Sequence, residues 1–142
     1  MSPWSVGRYD RVDFKSGRHV EHLVADRQWC EGKGIEYLPV VFPGFSWHNL
    51  NGGGLGKIPR RGGRFFWDQF VAMRAAGIET AYVAMFDEID EGTAIFKVSD
   101  DPPVGKGFEF LGNEGLPPDH YLKLTGNGGR LLRGEIPVTG DQ

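Results

Sequence analysis

The sequence predicts an α/β fold in which parallel strands are covered by helices. Two short apolar runs, at residues 35–42 and 80–86, alternate with segments of helical periodicity. Runs with so few polar residues are typical of strands buried on both faces, which favours a parallel sheet. Each run ends in a loop rich in polar and aromatic residues, and in such folds function lies at the carboxyl ends of the strands.

Helical patterns occur in three segments: residues 18–33, 63–76 and 119–133. In the second segment, Phe66, Phe70 and Met73 recur at the spacing i, i+4, i+7 that marks one face of a helix. In the third, Asp119 is predicted to cap the amino terminus. Residues 45–63, between the first strand and the second helix, are predicted to form a long loop. The first helix has apolar residues near one face, namely Val20, Leu23, Val24 and Cys30.

Bulk composition argues against several classes of function. The net charge of -3 provides no basic field, so we expect no nucleic-acid partner. The chain has neither a signal peptide nor a run of about 18 apolar residues, so we expect no membrane partner, and the compartment stays open. Cys30 is the one cysteine, which excludes an internal disulfide, and we interpret it as a small apolar helix residue.

An acidic segment follows the second predicted strand and contains the carboxylates Asp87, Glu88, Asp90 and Glu91. Like charges this close raise one another's pKa, which suits a bound cation, acid–base catalysis or a solvated loop. An EF-hand calcium loop starting at Asp87 would need an oxygen ligand at its third position and Glu at its twelfth, where this chain has Ile89 and Val98. We therefore predict no metal, and nothing in the chain indicates another cofactor.

Glycoside hydrolysis uses two carboxylates, one as proton donor and the other as base or nucleophile. Glu88 and Glu91 are the predicted catalytic pair. Their spacing along the chain permits both the ~5–5.5 Å separation of retaining enzymes and the ~6.5–9.5 Å separation of inverting enzymes, and decides between neither. Asp87 and Asp90 are predicted to contact the substrate.

Another polar and aromatic cluster follows the first predicted strand. Trp47 offers a flat apolar face to the C–H surface of a sugar, and His48 and Asn49 supply polar groups that orient it. Trp4 and Arg8 follow the end of an earlier element, and they are predicted to line the same face. Core packing is the alternative for Trp47, but the apolar run has already ended before it.

The glycine-rich residues 52–57 (GGGLGK) only superficially resemble a phosphate-binding loop. The Walker pattern has a longer spacing between its glycines and a Ser or Thr after its Lys, whereas Ile58 follows Lys57 here. No nucleotide site is predicted. The basic residues nearby are expected to be solvated, with contact to an acidic ligand as the alternative: Lys57, Arg60, Arg61 and Arg64.

Several longer motifs resemble the glycoside hydrolase family 71/99-like proteins, relatives of endo-α-mannosidases that often carry xylosidase- or arabinosidase-like labels. The matching stretches are residues 2–8 (SPWSVGR), 39–49 (PVVFPGFSWHN), 84–93 (AMFDEIDEGT), 121–126 and 132–137. The resemblance covers nearly the whole chain. It implies a partial (β/α)8 TIM-type barrel, roughly the last third, with residues 1–142 as a single incomplete domain, because a whole barrel takes about 250 residues.

That family carries Glu-x-x-Glu-Gly-Thr after its last barrel strand, which matches Glu88, Glu91, Gly92 and Thr93. By resemblance, Glu91 would be the general acid/base on the glycosidic oxygen. Glu88 would assist the sugar's 2-hydroxyl as it attacks to form an anhydro-sugar intermediate. A crowded acidic loop would help keep Glu91 protonated near neutral pH. The Ile-Asp pair between the glutamates stands where mannosidases usually have Trp and His, so the resemblance leaves the sugar open.

Three functional hypotheses follow from these patterns. The first is glycoside hydrolysis by the complete protein, with weak or absent activity in this chain alone. The second is carbohydrate binding without hydrolysis, by a remnant that uses Trp4, Trp47 and His48. The third is a structural fragment that needs other chains to cover its strand edges, for which exposed parallel strands predict self-association.

Overall fold

A computed structural model describes residues 1–12 and 17–138. It confirms the α/β prediction, because two strands pair in parallel and helices surround them. The elements in chain order are α1 (Arg18–Glu31), β1 (Val40–Val41), α2 (His48–Asn51), a 3-10 helix (Arg61–Gly63), α3 (Arg64–Ala75), β2 (Tyr82–Val83) and α4 (His120–Leu132).

Hydrogen bonds also join the amino terminus to the residues just before β1. The Met1 amine donates to the Glu36 carbonyl, and the Leu38 N–H donates to the Met1 carbonyl at 2.8 Å. Because the residues on both sides of Tyr37 bond to Met1, the pattern is that of a parallel pair. The amino-terminal segment therefore lies beside β1 in the position of a further parallel strand.

Both strands are much shorter than the apolar runs that predict them. Of the run 35–42 only β1 belongs to the ladder with β2, and of the run 80–86 only β2 does. A ladder requires a partner at every residue, and the two runs are in register over this short stretch alone. The prediction of burial on both faces holds for β1 but is wrong for Tyr82 of β2, which is 39% exposed because it lies on an edge strand.

The three predicted helices are confirmed with slightly shorter bounds, and Phe66, Phe70 and Met73 are buried as expected. Asp119 occupies the N-cap position of α4, as predicted. Its side chain makes no capping hydrogen bond, however, and instead pairs with Lys123 at 2.8 Å. An oppositely charged residue one turn along the helix competes for the carboxylate.

The segment predicted as a long loop, residues 45–63, contains regular structure. It includes α2 and the 3-10 helix, and Phe45 and Ile58 exchange two backbone hydrogen bonds of 2.9 Å across it. These bonds close the segment into a compact unit at the carboxyl end of β1.

The hydrophobic core has two parts, one on each face of the sheet. Val41 belongs to the larger part, which lies among α1, α3 and α4. Val40 and Phe42 belong to the smaller part, together with Phe65 and Ala84. This division follows from the strand geometry, since successive side chains point to opposite faces.

A buried glutamine joins α3 to the end of β1. The Gln69 Nε2 donates to the carbonyls of Phe42 at 2.8 Å and Phe65 at 3.0 Å. Its Oε1 accepts from the Phe42 N–H and from the Tyr9 hydroxyl, both at 3.1 Å. Both polar atoms of this side chain are therefore satisfied, as a buried amide requires.

α4 contacts α3 closely because glycine occupies the interface. A Cβ at Gly128 would lie 2.6 Å from three ring atoms of Phe70, which is too close for any side chain. Gly126, on the exposed side of the same helix, has no atom within 4 Å of such a Cβ. Packing against Phe70 therefore requires glycine at position 128, whereas position 126 has room for a side chain.

Alanine substitution at these two glycines should have opposite effects. We expect Gly126→Ala to raise the free energy of unfolding by about 0.5–1 kcal/mol, because alanine is the better helix former. We expect Gly128→Ala to lower it by about 1–2 kcal/mol, because the added methyl overpacks the interface with Phe70. Urea unfolding followed by circular dichroism measures both. Equal effects at the two sites would contradict the packing of α4 on α3.

Candidate functional site

The acidic segment after β2 forms a closed loop. The Met85 N–H donates to the Thr93 carbonyl at 3.1 Å, and the Phe96 N–H donates to the Phe86 carbonyl at 2.9 Å. Inside the loop, the N–H and the hydroxyl of Thr93 both donate to the Glu88 carbonyl, at 3.1 and 3.2 Å. The backbone from Glu88 to Thr93 is therefore a tight turn at the carboxyl end of the strand.

The four carboxylates of this loop differ in burial. Asp87, Glu88 and Asp90 are exposed, whereas Glu91 is half-buried. Burial raises the pKa of Glu91, and the negative charges of Glu88 and Asp90 raise it further. Glu91 is thus the group in this loop on which the surroundings favour the protonated form.

The loop after β1 contacts the acidic loop through its backbone. The Ser46 N–H donates to the Glu91 carbonyl at 2.6 Å. The Ser46 hydroxyl in turn accepts from the N–H groups of His48 at 3.4 Å and Gly56 at 3.3 Å. The two segments that sequence patterns single out are therefore joined at Glu91.

Arg60 lies beneath the acidic loop and is 3% exposed. Its Nε and Nη2 donate to the Gly92 carbonyl at 3.2 and 2.9 Å, and Nη2 also donates to the Ala94 carbonyl at 2.9 Å. The expectation of a solvated basic residue is wrong here, because the loop carbonyls replace water at Nε and Nη2, whereas Nη1 finds no hydrogen-bond partner among the described residues. Burial lowers the pKa of Arg60, but an arginine stays protonated.

Trp47 and Arg8 meet at one cavity. This cavity of about 270 Å³ is bordered by both residues and by Tyr9 and Lys57. Trp47 is 38% exposed and packs its ring edge-on against Phe45, with ring centroids 4.6 Å apart. An exposed aromatic face beside a charged side chain can contact a sugar ring.

Trp4 lies elsewhere, beside Tyr82 of β2, with ring centroids 6.4 Å apart. With Arg8 it also borders a second cavity, of about 370 Å³, which extends toward α1. Neither Glu88 nor Glu91 is among the described residues that line these two cavities. The acidic loop, the cavity of Trp47 and Arg8, and the cavity of Trp4 and Arg8 are thus distinct places in the structure.

His48 and Asn49 face the loop around Glu109. The Asn49 Nδ2 donates to the Glu109 carbonyl at 2.9 Å, and the Asn49 Oδ1 accepts from the Glu109 N–H at 3.2 Å. The His48 Nε2 lies 4.0 Å from the Glu109 carboxylate. Both polar atoms of the Asn49 amide are thus bonded to the backbone of Glu109. The sequence did not predict this structural role.

Within the two described ranges, no group of three or more His, Cys, Asp or Glu side chains could hold a metal ion. In the same part of the chain, every helix is too short or too polar to cross a membrane.

Two solved structures share this fold over most of the chain. The GH99 endo-alpha-mannosidase from Bacteroides thetaiotaomicron in complex with bis-tris-propane superimposes with a TM-score of 0.71 at 22% identity, over 90% of this chain and 39% of that one. A second structure of the same bacterium's GH99 endo-alpha-mannosidase gives 0.68 at 22% identity, over 89% and 37%. The chain thus spans about two fifths of the length of these structures.

No protein-family model matches the chain, and no curated protein matches it. The resemblance inferred from the sequence motifs is confirmed by the fold, which is that of a portion of the GH99 enzymes. The residue roles that the resemblance implies stay predictions.

The raised pKa of Glu91 predicts a pH-dependent effect of Glu91→Gln on stability. A raised pKa in the folded state means that folding favours the protonated carboxyl. The stability that Glu91 contributes is therefore complete below its ordinary pKa and is lost as the pH rises through the raised value. We therefore expect Glu91→Gln to raise the unfolding temperature by a few degrees at pH 7 relative to wild type, and by less at pH 4, as measured by calorimetry.

Glu79→Gln is a matched control, because Glu79 is exposed and precedes β2 at the opposite end of the strand. We expect the free energy of unfolding of this variant to stay within about 0.5 kcal/mol of wild type at both pH values. A Glu91→Gln difference that is constant between pH 4 and pH 7 would mean that Glu91 titrates as a solvated carboxyl.

Proposed function

We propose that this chain carries the acid–base loop of a glycoside hydrolase that cleaves O-glycosidic bonds in a polysaccharide or glycan. Glu91 would be the general acid/base and Glu88 its partner at the sugar's 2-hydroxyl. The observation that carries the proposal is the half-buried Glu91 carboxyl, whose pKa is raised by burial and by its acidic neighbours. A proton donor must keep its proton near the working pH, and burial beside like charges shifts the pKa of a carboxyl in that direction.

In this mechanism the Glu91 carboxyl protonates the glycosidic oxygen as the bond from C1 to that oxygen breaks. The 2-hydroxyl oxygen bonds to C1 and gives its proton to the Glu88 carboxylate, which forms an anhydro-sugar. Water then opens the anhydro-sugar at C1, gives one proton to Glu91, and the 2-oxygen recovers its proton from Glu88. Both glutamates return to their starting protonation states, as a catalytic cycle requires.

We also propose that residues 1–142 belong to one (β/α)8-type barrel domain, as roughly its last third. The parallel order of the amino-terminal segment, β1 and β2, with helices between them, supports this proposal. The likeness to the GH99 endo-alpha-mannosidases supports it as well. Trp4 and Tyr82, 49% and 39% exposed, would be covered by neighbouring barrel strands, and without them would favour self-association.

The remaining predicted site residues are proposed to contact the carbohydrate around the acid–base pair. Trp47 and Arg8 would bind it at their shared cavity, with Trp4 at the neighbouring one. Asp87 and Asp90 are exposed beside the glutamates and would hydrogen-bond sugar hydroxyls. His48 would act from the same loop as Trp47, whereas Asn49 would act indirectly, through its bonds to the loop at Glu109.

A second candidate function is carbohydrate binding without hydrolysis. It is favoured by the cavity that Trp47 and Arg8 share, because neither glutamate lines it. An exposed tryptophan beside an arginine can hold a sugar without any catalytic carboxylate. The two functions differ in whether Glu91 is needed.

We expect the chain to release reducing sugar slowly from one of an α-mannan, xylan and arabinan panel. Glu91→Gln should lower kcat by about 10²–10⁴-fold, because the amide keeps the shape of the carboxyl but is not acidic enough to protonate the glycosidic oxygen. KM should change little. Reducing-sugar assays measure both constants, and Glu79→Gln is the matched control for loss of a carboxyl elsewhere in the chain.

Binding measured by calorimetry separates the two candidates. If wild type and Glu91→Gln bind a glycan equally, wild type shows no turnover, and Trp47→Ala abolishes binding, the second candidate replaces the first. Sedimentation velocity over a range of concentrations reports self-association through the strand edges, which would indicate a fragment that needs partner chains.

A further inference from the structure

We propose that Arg60 is a positioning residue for Glu91, which it holds in its half-buried place by fixing the backbone that follows it. The inference rests on the proposed role of Glu91 as the general acid/base. Arg60 does not touch the substrate in this proposal and acts only through the acidic loop.

The guanidinium bonds directly to the chain on the carboxyl side of Glu91. The Gly92 carbonyl accepts from two of its nitrogens, at 3.2 and 2.9 Å, and the Ala94 carbonyl accepts at 2.9 Å. Hydrogen bonds from a charged donor are about twice as strong as neutral ones, and here they lie where water is excluded. Gly92 and Ala94 are themselves buried, so these carbonyls have no access to solvent as a substitute.

Further hydrogen bonds hold the turn from Glu88 to Thr93. The Ser46 N–H donates to the Glu91 carbonyl at 2.6 Å, and Thr93 donates to the Glu88 carbonyl. Together with the hydrogen bonds of Arg60, these bonds leave the backbone of Glu91 little freedom. With the backbone fixed, the depth to which the Glu91 carboxyl is buried is fixed as well.

Arg60 is itself held in place by Tyr121. Its guanidinium carbon lies 4.5 Å from the centroid of the Tyr121 ring on α4, within the range of a cation–π contact. The Tyr121 hydroxyl donates to Glu114 at 3.0 Å, and the same carboxylate oxygen accepts from the Gly62 N–H at 2.8 Å. α4 and residue 114 thus hold the arginine against the acidic loop.

The charge of Arg60 and its hydrogen bonds would act on Glu91 in opposite directions. A nearby positive charge lowers the pKa of a carboxyl, so losing the charge alone would raise the pKa of Glu91. Losing the hydrogen bonds would release the loop into water and lower that pKa, because burial is the largest cause of its rise. The sign of the change therefore distinguishes a positioning residue from a through-space charge.

The test is an NMR titration of the Glu91 side-chain carboxyl carbon in the full chain. We expect Arg60→Met to lower the Glu91 pKa toward the ordinary value of about 4.3. Arg60→Lys should restore part of the difference, because lysine keeps the charge but lacks the planar fork that reaches two carbonyls. Arg61→Met, which removes an exposed neighbouring arginine, should leave the Glu91 pKa unchanged.

An unchanged or increased Glu91 pKa in folded Arg60→Met would overturn the proposal. If Arg60→Met does not fold, as judged by its amide spectrum, Arg60→Lys decides by the same criterion. Because the titration needs no turnover, it stays separate from the proposed function. A lowered pKa in a chain whose wild type shows no hydrolysis would uphold the positioning of Glu91 by Arg60 independently of the proposed function. Faster hydrogen exchange at the Ser46 N–H in Arg60→Lys would be a second indication that the loop has been released.

Discussion

The structure depends on the buried carboxamide of Gln69 at the point where β1 ends. This side chain, 1% exposed, bonds to both backbone polar groups of Phe42 and also reaches Phe65 and Tyr9. An unpaired backbone group in that place would cost about 1–3 kcal/mol, so the strand end, α3 and the amino-terminal segment are held to one relative position. The loop that carries Trp47 therefore starts from a fixed point.

From that point the functional region is organised by polar contacts. Ser46 bonds to the backbone of Glu91, and Arg60 bonds to the backbone of Gly92 and Ala94. Apolar packing forms the larger core among α1, α3 and α4, on the other face of the sheet from Phe42 and Phe65. Hydrogen bonds are directional, so they can hold a turn of exposed carboxylates to one geometry where non-directional burial could not.

The sequence was informative where structure is local. Phe66, Phe70 and Met73 lie on one face of a single helix, so their spacing alone predicted α3 and its burial. Strand length was overestimated because pairing depends on residues far away in the chain, and the run 35–42 meets its parallel partner over β1 alone. Asp119 takes its predicted N-cap position without a capping bond from its side chain, since Lys123 competes for the carboxylate.

The candidate site was predictable in part. The acidic loop was located by its charge density after an apolar run, but the differing burial of Glu88 and Glu91 depends on tertiary contacts. Arg60 gave no composition signal that separates a buried arginine from the solvated Arg61 beside it, because both lie in the same basic cluster. Asn49 was assigned to a sugar by its neighbours, whereas its amide bonds to the backbone of Glu109.

The acidic loop and the apolar edge of the sheet differ in how far their side chains are covered by the rest of the chain. The acidic loop is held by contacts from Ser46, Arg60 and Thr93, although the Arg60 Nη1 finds no hydrogen-bond partner among the described residues. The apolar surface beside the sheet edge is less well covered, since Trp4, Tyr82 and Phe86 are 49%, 39% and 59% exposed. Water can solvate an unpaired charge on a surface, but exposed aromatic area of this kind favours another surface. The arrangement of the acidic loop is therefore a property of these residues, whereas the aromatic side chains at the sheet edge are left for another surface to cover.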